Sequence, residues 1–384
     1  MGGSDRVCAE SHVSGWAKRY TRSWDTRKGL RKRLRTAERP GHDGAMGNMA
    51  DVAAEAGVSI STVSHVINET RRVDPRTREA VLEAIATTGY RRNALAAALA
   101  TSRSGVLALS ISAWQNPYFA PLVRAIESRA GELGYALMMG DSHDDPTTEA
   151  ALVGSLLDRR ADGLILAPAP RAERATIPMI RSAGTPLVLI DRLSSAPVDQ
   201  LASEGSEPVA RLTAHLIELG HERIGAITGR RGIQSSVERS EAFVTAMAAA
   251  GLHAAPRHLR CGDSSVDEAY TQTLAMFRGR GPRPTALIAL NNAMTVGVMR
   301  ALRELELRVP QDVALVCYDD FEWSDLFTPG LTAVAQDVES MGRRAVDLLV
   351  ERIDGFDGPR RVERLPTTFH HRDSCGCERA PGGV

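Results

Sequence analysis

Asn116 with Tyr118 and Phe119, the pair Asp191-Arg192, Arg239, the pair Asn291-Asn292 and the run Tyr318-Asp319-Asp320 are the groups best suited to hold a small polar molecule. Carboxylates, amides and guanidinium groups supply the paired donors and acceptors that hydroxyls require, and an aromatic face suits the C–H side of a sugar ring. The chemistry on offer is binding. No Gly-x-Ser-x-Gly elbow, P-loop or His-Glu-x-x-His helix is present, and no glycine-rich dinucleotide fingerprint comes after the first strand, so no enzyme is expected. Each group also has a purely structural use: Asp319 can cap the segment after it, Arg192 can pair with Asp191, and Tyr118 can belong to a core.

His370, His371, Cys375 and Cys377 lie close together near the C-terminus. Zinc sites of the Cys and His kind normally show two spaced ligand pairs, and a lone Cys-x-Cys lacks the second. Residues 373–384 are therefore read as a trailing tail, with no metal and no cofactor expected. The five cysteines, Cys8, Cys261, Cys317, Cys375 and Cys377, are odd in number and scattered, which suits a reducing cytoplasm.

Ligands of open α/β sheets sit beyond the carboxyl ends of the strands, which is where the polar groups above fall. From Gly105 onward, apolar runs at 106–111, 137–139, 164–167 and 187–190 alternate with helical stretches at 118–133, 147–158 and 172–183. Continuous apolar runs belong to parallel sheets covered on both faces. The alternation resumes with helix 207–219, strand 224–228, helices 236–250 and 266–277, strand 285–290, helix 292–305 and strand 313–317. A last helix at 338–353 returns to the first unit. The fold class is therefore α/β, with two doubly wound parallel sheets that share several crossovers and a cleft. Lobe one is expected at about 105–202 and 336–356, and lobe two at about 203–335 and 357–372.

Residues 49–92 carry a different pattern. Val52, Ala53 and Ala56 make the apolar stripe of a short helix, Gly57 supplies a permissive backbone for a tight turn, and Ser59 can cap a second helix. Ile60, Val63, Val66 and Ile67 recur at helical spacing and are expected to face inward, leaving Ser61, Thr62, Ser64 and His65 outside. Asp74-Pro75 then opens a third amphipathic helix that ends before Gly89-Tyr90. Two short helices joined by a glycine turn, the second with a polar outer face, make a helix-turn-helix suited to the major groove. A helical hairpin within an all-α core would show the same stripes.

The letters in this stretch resemble the lac/gal repressor family of bacterial transcription regulators. The chain carries D-V-A-x-x-A-G-V-S-x-x-T-V-S from Asp51 to Ser64, T-R-x-x-V-x-x-A-I from Thr77 to Ile85, and then Gly89-Tyr90, and the likeness continues almost to the C-terminus. His65 stands where the family usually has Arg, Arg92 replaces the Pro before Asn93, and Ala97 replaces the Arg that commonly follows Ala96. The resemblance implies a helix-turn-helix head, a hinge over 93–104 and a two-lobed core of the periplasmic-binding-protein type. It places DNA contacts at Ser59, Ile60, Ser61, Thr62, Ser64, His65, Asn68, Arg72, Thr77, Tyr90, Asn93, Ala96 and Leu99. Residues 94–100 are too short to be a stable helix alone, and the resemblance makes Leu99 a wedge for the minor groove. It maps effector contacts onto Phe119, Arg192, Arg239, Asn291 and Asp319, to which the strand-end rule adds Tyr118. Asn292 replaces the Asp of the family's Asn-Asp pair, Ser203-Glu204 stands where many members show Asp-Asn, and Ser264 removes an aromatic platform found in some.

With 47 basic and 47 acidic side chains the chain has no net charge, so DNA affinity must be local. Over 49–104 seven basic side chains face six acidic ones, and the affinity should lean on helix ends, Arg71, Arg72, Arg91 and paired heads. Residues 1–48 carry eleven Lys or Arg against five Asp or Glu without an apolar period. They are read as a disordered basic extension, either a solvated tail or a segment upstream of a start at Met46 or Met49. No run approaches the length of a membrane span, and no signal peptide is read. The expectation is a cytoplasmic, sequence-specific repressor, a homodimer on a near-palindromic double-stranded operator, controlled by a sugar-like effector between the lobes.

Overall fold

Three capped helices make the described part of the N-terminal unit. The computed structural model describes residues 47–68, 71–90 and 103–377, and the chain divides into two units, Met1–Arg92 and Asn93–Val384. Helix α1 (Met49–Glu55) opens on a reciprocal cap. The Asn48 side chain accepts from the N–H groups of Ala50 and Asp51 at 2.8 and 3.1 Å, while the Asp51 carboxylate accepts from the Asn48 N–H at 2.7 Å. Such a box satisfies donors that a helix start leaves unpaired. Gly57 takes the left-handed backbone of the turn, φ 64°, and the Ser59 hydroxyl accepts from the Thr62 N–H at 3.2 Å to cap α2 (Ile60–Asn68). Helix α3 (Pro75–Thr88) starts on the Asp74 cap and ends at Gly89. Val52, Val63 and Val81, one from each helix, are fully buried and form the centre of a small core.

Ile60 is the exception to the expected inward stripe, with 52% of its surface exposed. At 3.6 residues per turn it sits roughly 90° around α2 from the midline of Val63 and Val66, too far to reach the core they share.

Among the described residues the second unit runs from β1 (Val106–Ile111) through α4 (Phe119–Glu132), β2 (Ala136–Asp141), α5 (Pro146–Asp158), β3 (Gly163–Leu166), α6 (Thr176–Ser182) and β4 (Leu187–Ile190) to β5 (Asp199–Ser203). It continues with α7 (Ser206–Glu218), β6 (Ile224–Thr228), α8 (Gln234–Ala249), β7 (Leu259–Cys261), α9 (Val266–Arg278), β8 (Ala286–Ala289), α10 (Asn292–Glu304), β9 (Ala314–Tyr318) and β10 (Thr332–Gln336). It closes with α11 (Val338–Ile353), β11 (Val362–Leu365) and β12 (Thr367–His370). The first sheet runs β11-β5-β4-β3-β1-β2 with parallel neighbours throughout. The second runs β12-β10-β9-β8-β6-β7 and is parallel except for the antiparallel edge β12. The chain crosses between lobes at 203–206, 336–338 and 365–367, and α11 returns to lobe one, where Met341, Ala345 and Leu349 join the core of Leu122 and Ile126.

Two expected boundaries are corrected by the strand pairing and the C-terminal contacts. Strand β11 pairs with β5 from Val362↔Gln200 to Leu365↔Ser203, so lobe one keeps the chain through Leu365 and lobe two regains it only at β12. The anchor is Asp199, buried at the start of β5, which takes bidentate hydrogen bonds from Arg352 and further ones from Arg361 just before β11. Residues 373–377 are also no tail. The Ser374 hydroxyl donates to the Leu315 carbonyl at 2.6 Å and accepts from the Thr332 N–H at 2.8 Å, and Ser374 and Cys375 are buried on lobe two. The extension at 1–46, the hinge residues Asn93, Ala96 and Leu99, and Arg91 with Arg92 lie outside the described residues, as do 378–384. No helix among the described residues is long and apolar enough to cross a membrane.

Candidate functional site

The head presents a connected polar set at the start of α2. Ser59 Oγ lies 2.8 Å from both Ser61 Oγ and Thr62 Oγ1. Ser61 is exposed, Thr62, Ser64 and His65 are half-buried, and exposed Ile60 adds an apolar contact beside them. Hydroxyls and free N–H groups at a helix start are the groups that meet phosphates, while side chains one turn further on reach base edges. Arg71 and Arg72 are exposed beyond α2, Thr77 is half-buried in the first turn of α3, and Tyr90 packs against the head's core. Asn68 closes α2, and its side chain lies outside the described residues.

In the second unit Tyr118, Phe119, Arg192, Arg239, Asn291 and Asp319 all line one interlobe cavity of about 40 Å3. A few waters fit such a space and a sugar does not, so the lobes are closed on each other. Arg239, in the second turn of α8, stands over the Tyr318 ring with its guanidinium carbon 3.7 Å from the centroid, and its Nη1 donates to the Leu290 carbonyl at 2.9 Å. Its Nε is buried without a partner among the described residues. Asp319, directly after β9, accepts from the Gln336 side-chain amide. Burial pushes its carboxyl up to about 6, against the opposing pull of the Arg239 guanidinium.

Arg192 is buried in a carboxylate cage. It forks onto Asp144, donates to the Pro168 carbonyl at 2.8 Å, and lies 3.3 Å from the Asp191 carboxylate. Asp144 and Asp191 hold left-handed backbones, φ 55° and 68°, a conformation uncommon in non-glycine residues that collects at functional sites. Asn291 caps α10 by accepting from the Met294 N–H at 2.8 Å, and Asn292 donates to the Asp320 carbonyl at 3.3 Å. The Tyr118 hydroxyl donates to Met341 Sδ at 3.4 Å within lobe one while the ring lines the cavity edge-on to Phe119, 5.1 Å between centroids.

Polar bridges span the lobes around this cavity. Arg364 on β11 forks onto Glu238 of α8 at 2.8 and 3.0 Å, the Leu193 N–H donates to Gln234 at 3.3 Å, and Arg124 meets Glu322 at 2.9 Å. Arg230 reaches the Asp144 carbonyl at 3.4 Å, and the Tyr318 hydroxyl donates to the Glu204 carbonyl. Of the bridging residues, Asp144 also lines the cavity.

Comparison with known proteins places the chain. Residues 48–93 match the model of bacterial regulatory proteins of the lacI family, and residues 213–375 match a periplasmic binding protein-like domain. The HTH-type transcriptional repressor PurR of Haemophilus influenzae is 32% identical over 324 residues, covering 84% of this chain and 96% of that one. This chain belongs to the LacI family. As a LacI-family repressor it binds DNA, and an effector in the periplasmic-binding-protein-like core regulates that binding; the family is not enzymatic. The ribose operon repressor of Escherichia coli is 34% identical over 309 residues, 80% of this chain and 93% of its own. Among solved structures, the lac repressor dimer bound to operator and the anti-inducer ONPF aligns with a TM-score of 0.78 at 29% identity, covering 86% of this repressor and 99% of that chain. A complex of the transcriptional regulator CelR with cellobiose aligns at 0.64 and 30% identity, covering 85% and 99%.

Sequence reasoning misses four polar residues that line the cavity of this repressor, Asp144, Ser235, Ser236 and Gln336. The strand-end rule finds Asp144 and Gln336 once β2 is carried through Asp141 and β10, a short run ending in Gln, is counted as a strand.

Proposed function

We propose that the repressor's cleft takes a neutral, hydroxyl-rich small molecule of the sugar class. The observation that supports this most is the pairing of Asp319 with Arg239 across one buried cavity, the carboxylate ready to accept from hydroxyls and the guanidinium holding an Nε–H without a partner among the described residues. An unsatisfied buried donor is costly, and a ligand oxygen would remove that cost. Asp144, Asp191 and Asp319 outnumber Arg192 and Arg239, which disfavours an anionic ligand. Phe119 and Tyr118 supply the apolar wall. Because the closed cavity is small, entry requires the lobes to part, and the effector then biases the lobe angle by binding its two settings unequally.

In this reading two copies act together in the cytoplasm on a near-palindromic operator, each head placing α2 in a major groove. Exposed Leu326 and Trp323, the latter stacked on Phe321 at 4.5 Å, offer an apolar face for the second copy. Leu99 of the hinge wedges into the minor groove between the heads, so that the lobe angle reaches the DNA through the hinge. The test is a thermal-shift screen of the intact repressor with pentoses, hexoses, disaccharides and nucleosides, and then operator binding with each ligand that raises the melting temperature. A monosaccharide or disaccharide that changes operator affinity, with the response lost in Arg239→Lys, supports the proposal; a response only to nucleosides or to phosphorylated compounds overturns it.

A further inference from the structure

His215, His371, Cys375 and Cys377 bring four metal-ligating atoms within 4.8 Å of one another. They come from three places in lobe two: the last turn of α7, the residue after β12, and the turn beyond it. Cys377 Sγ lies 3.7 Å from His215 Nε2 and touches His371 Nε2, Cys375 Sγ lies 3.4 Å from His371 Nε2, and the two sulfurs are 2.8 Å apart. In tetrahedral zinc sites with sulfur near 2.3 Å and nitrogen near 2.0 Å, neighbouring ligand atoms stand roughly 3.3 to 3.8 Å apart. Small rotamer changes therefore separate the present arrangement from a complete coordination set.

Hydrogen bonds of the neighbouring residues hold the chain around this cluster in place. Arg372 forks onto Asp320 at 2.8 and 2.7 Å, Arg372 and Thr332 bond each other in both directions, and Ser374 is locked to Leu315 and Thr332. Gly376 turns the chain between the two cysteines with φ 83°, and a Cβ there would lie 3.2 Å from Pro310, so this turn requires glycine and directs both sulfurs to one side. The edge of His215 meets Phe369 and His371, with ring centroids 5.7 and 5.2 Å apart. Such fixed packing behind the ligands is what keeps them oriented.

We propose that these four side chains form a closed zinc site that ties the C-terminal segment to α7. Two thiolates and two neutral imidazoles cancel the charge of Zn2+, which suits a half-buried position, whereas Mg2+ and Ca2+ require oxygen ligands. With four protein ligands the metal has no open position, so its role is structural. The sequence alone obscures the site because His215 lies far from the Cys-x-Cys pair along the chain.

Full-length protein, stripped of metal and kept reduced with a phosphine, is titrated with Co2+. The expected result is the visible absorption of tetrahedral Co2+ with a thiolate charge-transfer band, saturating at one equivalent per chain and displaced by Zn2+. Cys377→Ser and His215→Gln lose the thiolate spectrum or its stoichiometry, Cys261→Ser keeps both, and circular dichroism confirms that each variant is folded. Zinc raises the melting temperature of the wild type by several degrees and leaves Cys377→Ser unchanged. No tetrahedral thiolate spectrum in the reduced wild type, an unchanged spectrum in His215→Gln, or a Cys375–Cys377 disulfide as the only state recovered under the phosphine overturns the proposal.

Discussion

The Arg239 guanidinium stands over Tyr318 at 3.7 Å from the ring centroid, fixed by the Leu290 carbonyl on one side and carrying on the other a buried Nε without a partner among the described residues. Stacking on an aromatic face and a rigid planar fork are properties that lysine lacks. Arg239→Lys keeps the charge and should lower effector affinity by about 10- to 100-fold, the loss of one charge-assisted bond and its orientation. Isothermal calorimetry with the effector found by screening measures this, and operator binding without effector should be unchanged.

Asp319 makes the cleft sensitive to pH. Its folded-state value of about 6 stands above the ordinary carboxylate range. A raised folded value means that the contribution to stability is present in full below the unfolded value near 4 and is lost as pH rises through about 6. Asp319→Asn should therefore be more stable than the wild type at pH 7.5, by on the order of 2–3 kcal/mol, and the difference should vanish near pH 4. Effector hydroxyls bind the ionised form, so wild-type affinity should fall by up to about tenfold per pH unit below 6, and this slope should be absent in Asp319→Asn. A pH series of melts and titrations checks both signs.

Legibility in the sequence depends on where each signal lies along the chain. Buried strands such as Leu187–Ile190 read directly because both of their faces are apolar. Strand β5 does not read, because its Asp199 and Gln200 are polar and their burial depends on Arg352, Arg361 and Ser194, remote or outside the strand. The cleft residues are legible by position beyond strand ends, but their partners are not. Spacing offers Arg192 only a ligand or Asp191, and its main partner is Asp144, placed by the turn after β2. Ile60 departs from its expected burial because, counted around the helix from Val63 and Val66, it falls at the margin of the buried stripe.

Glu238 is the hub of the lobe contact. It accepts from Arg364 at 2.8 and 3.0 Å, from Gln234 at 2.6 Å and from Ser206 at 3.2 Å. Glu238→Gln keeps the shape but removes the charge from a partly buried pair, which should cost about 1–3 kcal/mol of interaction. The expected outcome is a larger radius of gyration by solution scattering, from parted lobes, together with a shifted effector response. An unchanged profile with normal response would show that this interlobe pair does not hold the lobe angle.

Base preference of the head should turn on His65. Val63 and Val66 define the buried side of α2; Ser61 points almost directly away from it, and His65, one turn on, lies roughly 50° from that direction. The hydroxyls of Ser59, Ser61 and Thr62 form one hydrogen-bonded set at the helix start, suited to holding phosphates and so to fixing the register of the helix in the groove. His65 lies a turn beyond that anchor, where a side chain extends toward base edges. Imidazole offers one donor or acceptor per nitrogen, whereas Arg makes a bidentate pair with guanine, a difference of roughly 1–3 kcal/mol per base pair. His65→Arg should therefore move the preferred half-site toward guanine at one position by about tenfold or more while leaving affinity for non-specific DNA nearly unchanged. Selection of sites from random DNA with both proteins measures the shift, and the same consensus from both would place His65 away from the bases.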